Sequence, residues 1–134
     1  MTRTSLVILL SGLALAACQK PSETKEPQIR IVGDEQKQLH QLDAYNLAIG
    51  LKRAIYDAGY TCKRIADAGF VGTWKNLDEW SAHCEYDVGP PRDWAIFAGP
   101  DGSAQVRDCK DVVASGLPPC VIVQRPKGSF ILKK

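Results

Sequence analysis

The sequence predicts an α+β domain in which one long helix packs on a small antiparallel sheet and two disulfides brace the whole. Three observations indicate this fold. A helical repeat extends from residue 34 to residue 60, an alternation of apolar and polar residues follows it, and four cysteines lie in and beyond the alternating part. A helix followed by a run of strands is typical of α+β domains.

The helix is predicted from Asp34 to Tyr60 by the spacing of its polar residues. They recur every three or four positions and would form one stripe along the helix: Asp43, Asn46, Gly50, Arg53 and Asp57. The remaining surface is mostly apolar, so we expect more than half of the girth to be buried against the sheet. Asp34 suits the N-cap position, and Gly59 suits the position just past the C-terminus.

Four strands are predicted in the order of a meander, because apolar and polar residues alternate with a period of two. The first covers residues 60–65 and the second residues 80–88, with a loop over 69–76 between them. The third and fourth, residues 94–98 and 103–107, flank a turn rich in glycine. We also expect a short helix over 109–115 and a last hairpin or edge strand made from 121–123 and 130–132.

The four cysteines of the domain allow three disulfide pairings. We favour Cys62 with Cys84, which would link neighbouring strands, and Cys109 with Cys120, which would brace the short helix. The alternatives are a zinc site that includes a histidine and a redox pair. Both usually show cysteines two residues apart, and that spacing does not occur in this chain. We therefore predict a structural role for the four thiols, with no metal and no cofactor.

The first 17 residues have the composition of an export signal. Arg3 is followed by an uncharged, mostly apolar stretch over 5–17, which is shorter than the ~20 apolar residues that a membrane span needs. The stretch ends in Leu-Ala-Ala-Cys at 15–18, which resembles the lipobox of bacterial lipoprotein precursors. The resemblance implies removal of residues 1–17 and acylation of Cys18. The alternative is ordinary signal cleavage after Ala14-Leu15-Ala16, which would release a soluble protein.

Acylation of Cys18 would explain why the chain has five cysteines, an odd number. The resemblance implies attachment to the outer membrane with the domain facing the periplasm, because Gln19 and not aspartate follows the cysteine. Residues 18–28 would then be the lipidated cysteine and a polar, flexible tether, and residues 29–134 a single domain. The net charge of +2 gives no reason to expect nucleic acid as a partner.

The sequence contains no motif of a serine hydrolase, a zinc hydrolase or a phosphate-binding loop, so we predict that the protein is not an enzyme. The leading hypothesis is a membrane-anchored lipoprotein whose domain binds another envelope protein, in a narrower form as an inhibitor or immunity-type protein. Trp74, Trp94 and Arg92 are the candidate binding residues, because tryptophan and arginine are enriched at interfaces. A structural role is the alternative for both tryptophans, and both histidines are expected to face solvent.

The alternative function is a small envelope hydrolase or carbohydrate-acting enzyme. Such an enzyme would use aspartate or glutamate side chains in a cleft, at least one of them with a raised pKa. The sequence places no such carboxylates together by any local pattern.

Overall fold

The structure, a computed structural model, describes residues 30–125. Within them it has two α-helices and four strands: α1 (Asp34–Gln41), α2 (Ala44–Asp57), β1 (Arg64–Trp74), β2 (Leu77–Glu85), β3 (Arg92–Ala98) and β4 (Ala104–Asp108). The strands form one antiparallel sheet in the order β1-β2-β3-β4. The predicted α+β class and meander are therefore confirmed.

The single long helix predicted from Asp34 onward is instead two helices, α1 and α2, with a break at residues 42 and 43. Asp43 has extended backbone, and its side chain accepts a hydrogen bond from the Asn46 backbone N–H at 2.8 Å. This N-cap starts a new helix, so Asp43 does not belong to a continuous polar stripe. Gly33 rather than Asp34 is the N-cap of α1, and Gly59 follows α2 with a φ of +85°, as expected.

The helix α2 is buried on one side only, so the expectation that more than half of its girth is covered is wrong. The side that packs on the sheet carries four buried residues: Leu47, Ala48, Leu51 and Ile55. Tyr45 and Ile49 remain about half exposed. They lie beside β1, which is an edge strand, and there the sheet offers no further strand for the helix to cover.

The first two strands form a longer hairpin than the sequence predicts. The predicted loop over 69–76 is wrong, because β1 continues to Trp74 and pairs there with Leu77 of β2. Of the first strand predicted over 60–65, only residues 64 and 65 belong to β1. Lys75, with a φ of +55°, helps to form the tight turn between β1 and β2. Alanine and glycine give β1 little intrinsic preference for a strand, and its two register irregularities obscure the alternation. Pairing with β2 overrides both signals.

The chain after β4 departs from the expected short helix. Residues 109–116 form successive turns, in which Asp108 Oδ1 accepts the Lys110 backbone N–H at 3.2 Å. The β-branched Val112 and Val113 reduce the tendency to form a helix. Residues 121–125 belong to no strand, and the other half of the expected hairpin, 130–132, lies outside the described residues.

Both faces of the sheet are covered. The helix α2 packs on the face that carries Trp80, Trp94 and Ile96, all at most 3% exposed. The chain after β4 covers the other face, where Phe97 and Val112 are at most 1% exposed. The two disulfides form in the favoured pairing, Cys62–Cys84 with a Cα–Cα distance of 5.4 Å and Cys109–Cys120 with 5.2 Å.

Candidate functional site

The strongest candidate for a functional site is the connection between β2 and β3, residues 86–91, which we call the tip loop. Val88 in this loop is 92% exposed, more than any other large hydrophobic residue among residues 30–125. Three cavities of about 340 to 390 Å³ share residues of the loop. A loop that exposes an apolar side chain between such recesses is a candidate contact surface for a partner.

Polar contacts fix the first half of the tip loop to the sheet. The Tyr86 hydroxyl donates to the Thr61 carbonyl oxygen at 2.5 Å. Asp87 forms ion pairs with Lys63 at 3.1 Å and Arg64 at 3.2 Å. The hydrogen bond and charge of Lys63, followed by those of Arg64, hold the pKa of Asp87 below its usual value. The exposed pairs add little stability, but they define where the loop leaves β2.

The backbone of the second half is restricted by its own residues. Gly89 has a φ of +100°, a region that side chains with a Cβ rarely adopt. Pro90 and Pro91 then fix their own φ angles near −65° and limit the residue before each of them. A loop with few accessible conformations loses little entropy when it binds, which favours tight association.

Beside the tip loop lies a cavity of about 370 Å³ that we call the aromatic pocket. It is lined by Gly59, Tyr60, Thr61, Tyr86, Val88, Gly89, Pro90, Arg92 and Trp94. The ring centroids of Tyr60 and Trp94 are 4.6 Å apart, and Tyr60 is 40% exposed while Trp94 is 1% exposed. The pocket therefore combines flat apolar walls with one guanidinium group.

Of the three predicted binding residues, the structure brings two together. Arg92 and Trp94 lie on the same side of β3 and both line the aromatic pocket, although Trp94 is also a core residue. Trp74 lies at the opposite end of β1, with Lys75 Nζ 4.3 Å from its ring centroid. Val88 was not among the predicted binding residues. The Gly-Pro-Pro run directly after it was the available signal, since such runs mark turns that protrude.

His40 is exposed, as expected, and His83 is partly buried; both also have a carboxylate partner, which the sequence did not predict. His83 Nδ1 lies 2.5 Å from Asp93 Oδ1, beside the tip loop. His40 Nε2 lies 3.0 Å from Oδ2 of the buried Asp78, at the other end of β2. Their side chains are 28% and 39% exposed. No group of three or more residues that could hold a metal ion occurs in the part of the chain that the structure describes.

Among residues 30–125 one carboxylate has a raised pKa, and it lines none of the four cavities beside the tip loop and α2. Glu79 is 2% exposed on the β2 face away from α2, and burial raises its pKa. Its Oε1 atom has no hydrogen-bond partner within residues 30–125. The cavities around the tip loop and the one beside α2 are lined by other residues. The combination expected of an acid-base enzyme is therefore not found at these cavities.

Glu79 makes stability depend on pH in a definite direction. The folded chain keeps this proton to a higher pH than the unfolded chain, whose carboxyl titrates near the ordinary value of 4.5. The free energy of unfolding therefore falls as the pH rises above about 4.5, by up to ~1.4 kcal/mol per unit of pKa difference. We expect Glu79→Gln to remove this part of the decline, and urea unfolding between pH 4.5 and 7.5 measures it. Glu35→Gln, on exposed α1 surface, is the control; a Glu79→Gln chain that declines as steeply as the wild type would refute the assignment.

Comparison of the chain with models of protein families, with curated proteins and with solved structures gives no match. Within residues 30–125, neither helix has the length and apolar character that crossing a membrane requires.

Proposed function

We propose that the protein is a lipid-anchored envelope lipoprotein whose domain binds another envelope protein through the tip loop and the aromatic pocket. The observation that carries this proposal is Val88, a 92% exposed apolar side chain at the tip of a conformationally restricted loop. A partner with an apolar recess would bury this side chain at little entropic cost.

The placement of the tip loop agrees with attachment through Cys18. The described chain begins at Arg30, which pairs with Asp78, and the Ile31 backbone N–H donates to Asn76 Oδ1 at 3.2 Å. These contacts lie at the start of β2, whereas the tip loop follows its end. Because a strand rises about 3.3 Å per residue, the two ends of β2 are separated by roughly 25 Å. A tether that enters at one end would present the tip loop at the other, away from the lipid.

The lipid anchor and the location are part of the same proposal. Acylation of Cys18, after removal of residues 1–17, would hold the domain at the outer membrane on the periplasmic side. Two or three acyl chains give firm attachment, at ~0.8 kcal/mol per buried CH₂. Within this setting an inhibitor or immunity-type role is the narrower form of the proposal, because inserting a rigid loop into a partner's cleft is an effective way to block it.

Site-specific photo-crosslinking tests the proposal. A photoreactive phenylalanine analogue is introduced at Val88 of the full chain in the native bacterium. Irradiation is expected to give a discrete adduct of the chain with one other protein, which mass spectrometry then identifies. The control position is Val113, which is 64% exposed but lies on the segment that covers the opposite face of the sheet.

Adducts at position 113 as abundant as those at position 88, or none at position 88, would contradict the proposed binding role of the tip loop. A parallel Cys18→Ala chain tests the anchor. We expect it to lose lipid labelling and to leave the membrane fraction. The photoreactive residue at position 88 of this chain can still form adducts on irradiation. A Cys18→Ala chain that is still labelled with lipid would contradict the anchor alone.

A further inference from the structure

Within the part of the chain that the structure describes, the charged residues around the tip loop are paired with one exception. Five contacts join residues of the loop or of the cavities that flank it: Lys63–Asp87 at 3.1 Å, Arg64–Asp87 and Arg64–Glu85 at 3.2 Å, His83–Asp93 at 2.5 Å and Lys110–Asp108 at 3.5 Å. Arg92 also lines two of these cavities. It has no ion pair among residues 30–125. We infer that Arg92 binds a carboxylate of the partner, and that the partner surface is an acidic protein segment beside an apolar recess.

The backbone of Arg92 is held in place before any partner arrives. It is the first residue of β3 and pairs across the ladder with Cys84, which is itself fixed by the disulfide to Cys62. Pro91, whose φ is fixed by its ring, directly precedes Arg92 in the chain. A guanidinium that extends from such a fixed backbone can receive a carboxylate in the planar, two-bond geometry that arginine prefers.

Burial of Arg92 by a partner requires a negative charge. The residue is exposed in the free domain, so water solvates the guanidinium. A partner that buries Val88 and covers the aromatic pocket removes this water, and an unpaired buried cation is strongly unfavourable. The local carboxylates already have cationic or imidazole partners: Glu85, Asp87, Asp93 and Asp108. The partner is therefore the remaining source of the carboxylate.

A protein is favoured over a sugar polymer as the source of the carboxylate. Both classes can carry carboxylates, and both can stack on Tyr60. Val88 projects beside Arg92 and needs an apolar recess, which folded proteins have and hydrated polysaccharide chains do not. This inference rests on the proposed binding function and specifies the chemistry of its partner.

The test combines the photoreactive residue at position 88 with substitutions of Arg92. We expect Arg92→Gln to reduce the protein adduct by at least ~10-fold and Arg92→Glu to reduce it further, while Arg92→Lys retains part of it. Arg107→Gln is the matched control, because Arg107 is an exposed arginine on β4. In cell extracts, raising the salt concentration should weaken the wild-type adduct and leave the residual Arg92→Gln adduct unchanged. Unchanged urea midpoints show that the variants fold.

The outcomes separate this inference from the proposed function. Arg92→Gln with the same adduct yield as Arg107→Gln would overturn the carboxylate assignment and leave the tip loop as a binding element. Absence of any adduct in the wild-type background would overturn both. An adduct that carries sugar and disappears on digestion with a muramidase would show that the partner is a glycan. This result would refute the inference that Arg92 binds an acidic protein segment.

Discussion

Removing the Cys62–Cys84 disulfide by a Cys62→Ala/Cys84→Ala double substitution is expected to lower the free energy of unfolding by about 3 kcal/mol. The bond joins residues separated by 22 positions, so the reduced unfolded chain gains considerable conformational freedom. Both cysteines are completely buried among core residues, and their replacement also leaves small voids. A loss of this size is a large part of the ~5–15 kcal/mol that stabilises a typical domain.

The same substitution should act on the tip loop, because Cys84 lies at the end of β2 and pairs with Arg92 at the start of β3. We expect residues 86–91 to become the first site of limited proteolysis. The double variant Cys109→Ala/Cys120→Ala is the control. It lacks a bond that spans 11 positions and gives a similar entropic stabilisation. Cys109 lines a cavity beside Pro90 and Pro91, but neither cysteine lies on β2 or β3, the strands that flank the tip loop. Equal protection of residues 86–91 in both variants would contradict a role of Cys62–Cys84 in fixing the loop, and urea unfolding measures the two stability losses.

The sequence was most informative where one signal dominates. Apolar and polar residues alternate clearly in β2, and β3 contains a continuous apolar run over residues 94–98. Both are central strands, and their inward residues Trp80 and Trp94 meet the helix. The disulfide pairing followed from the same alternation, since Cys62 and Cys84 share the inward direction. Gly59 ended the helical region as expected because its φ of +85° suits glycine.

The errors arose where a local interaction competes with periodicity. Asp43 fits a polar helical stripe and equally an N-cap, and only the folded chain shows that its carboxylate binds the Asn46 N–H. The residues of β1 lack the usual strand composition, and their pairing with β2 is a long-range property that no local window contains. The short helix after β4 was expected from capping signals, whereas the chain there forms turns joined by a disulfide.

The candidate site was only partly predictable for a similar reason. Arg92 and Trp94 were identified by residue type, and the structure places both in the aromatic pocket. Trp74 has the same residue type but lies at the opposite end of β1. Val88 was expected to be the last residue of the second strand, because the predicted alternation extends over residues 80–88. The strand in fact ends at Glu85, and Val88 protrudes.

Val88→Asp is the second substitution with a large expected effect. The side chain is 92% exposed, so the change should leave the urea midpoint nearly unaltered. In a complex the aspartate would place a charge in an apolar recess, next to the carboxylate that Arg92 is inferred to bind. Burial of an unpaired charge and repulsion between carboxylates both oppose association. We expect the affinity for the partner to fall ~100-fold, as at a hot-spot residue.

The most direct test of the central claim is a titration of the acylated chain, in detergent micelles, with the protein found in the Val88 adduct. Wild type, Val88→Asp and the control Val113→Asp are compared at one salt concentration. If the tip loop binds the partner, the dissociation constant is expected to be about 100-fold higher for Val88→Asp and within about threefold of wild type for Val113→Asp. Equal affinities of Val88→Asp and wild type would contradict the claim that the tip loop binds the partner.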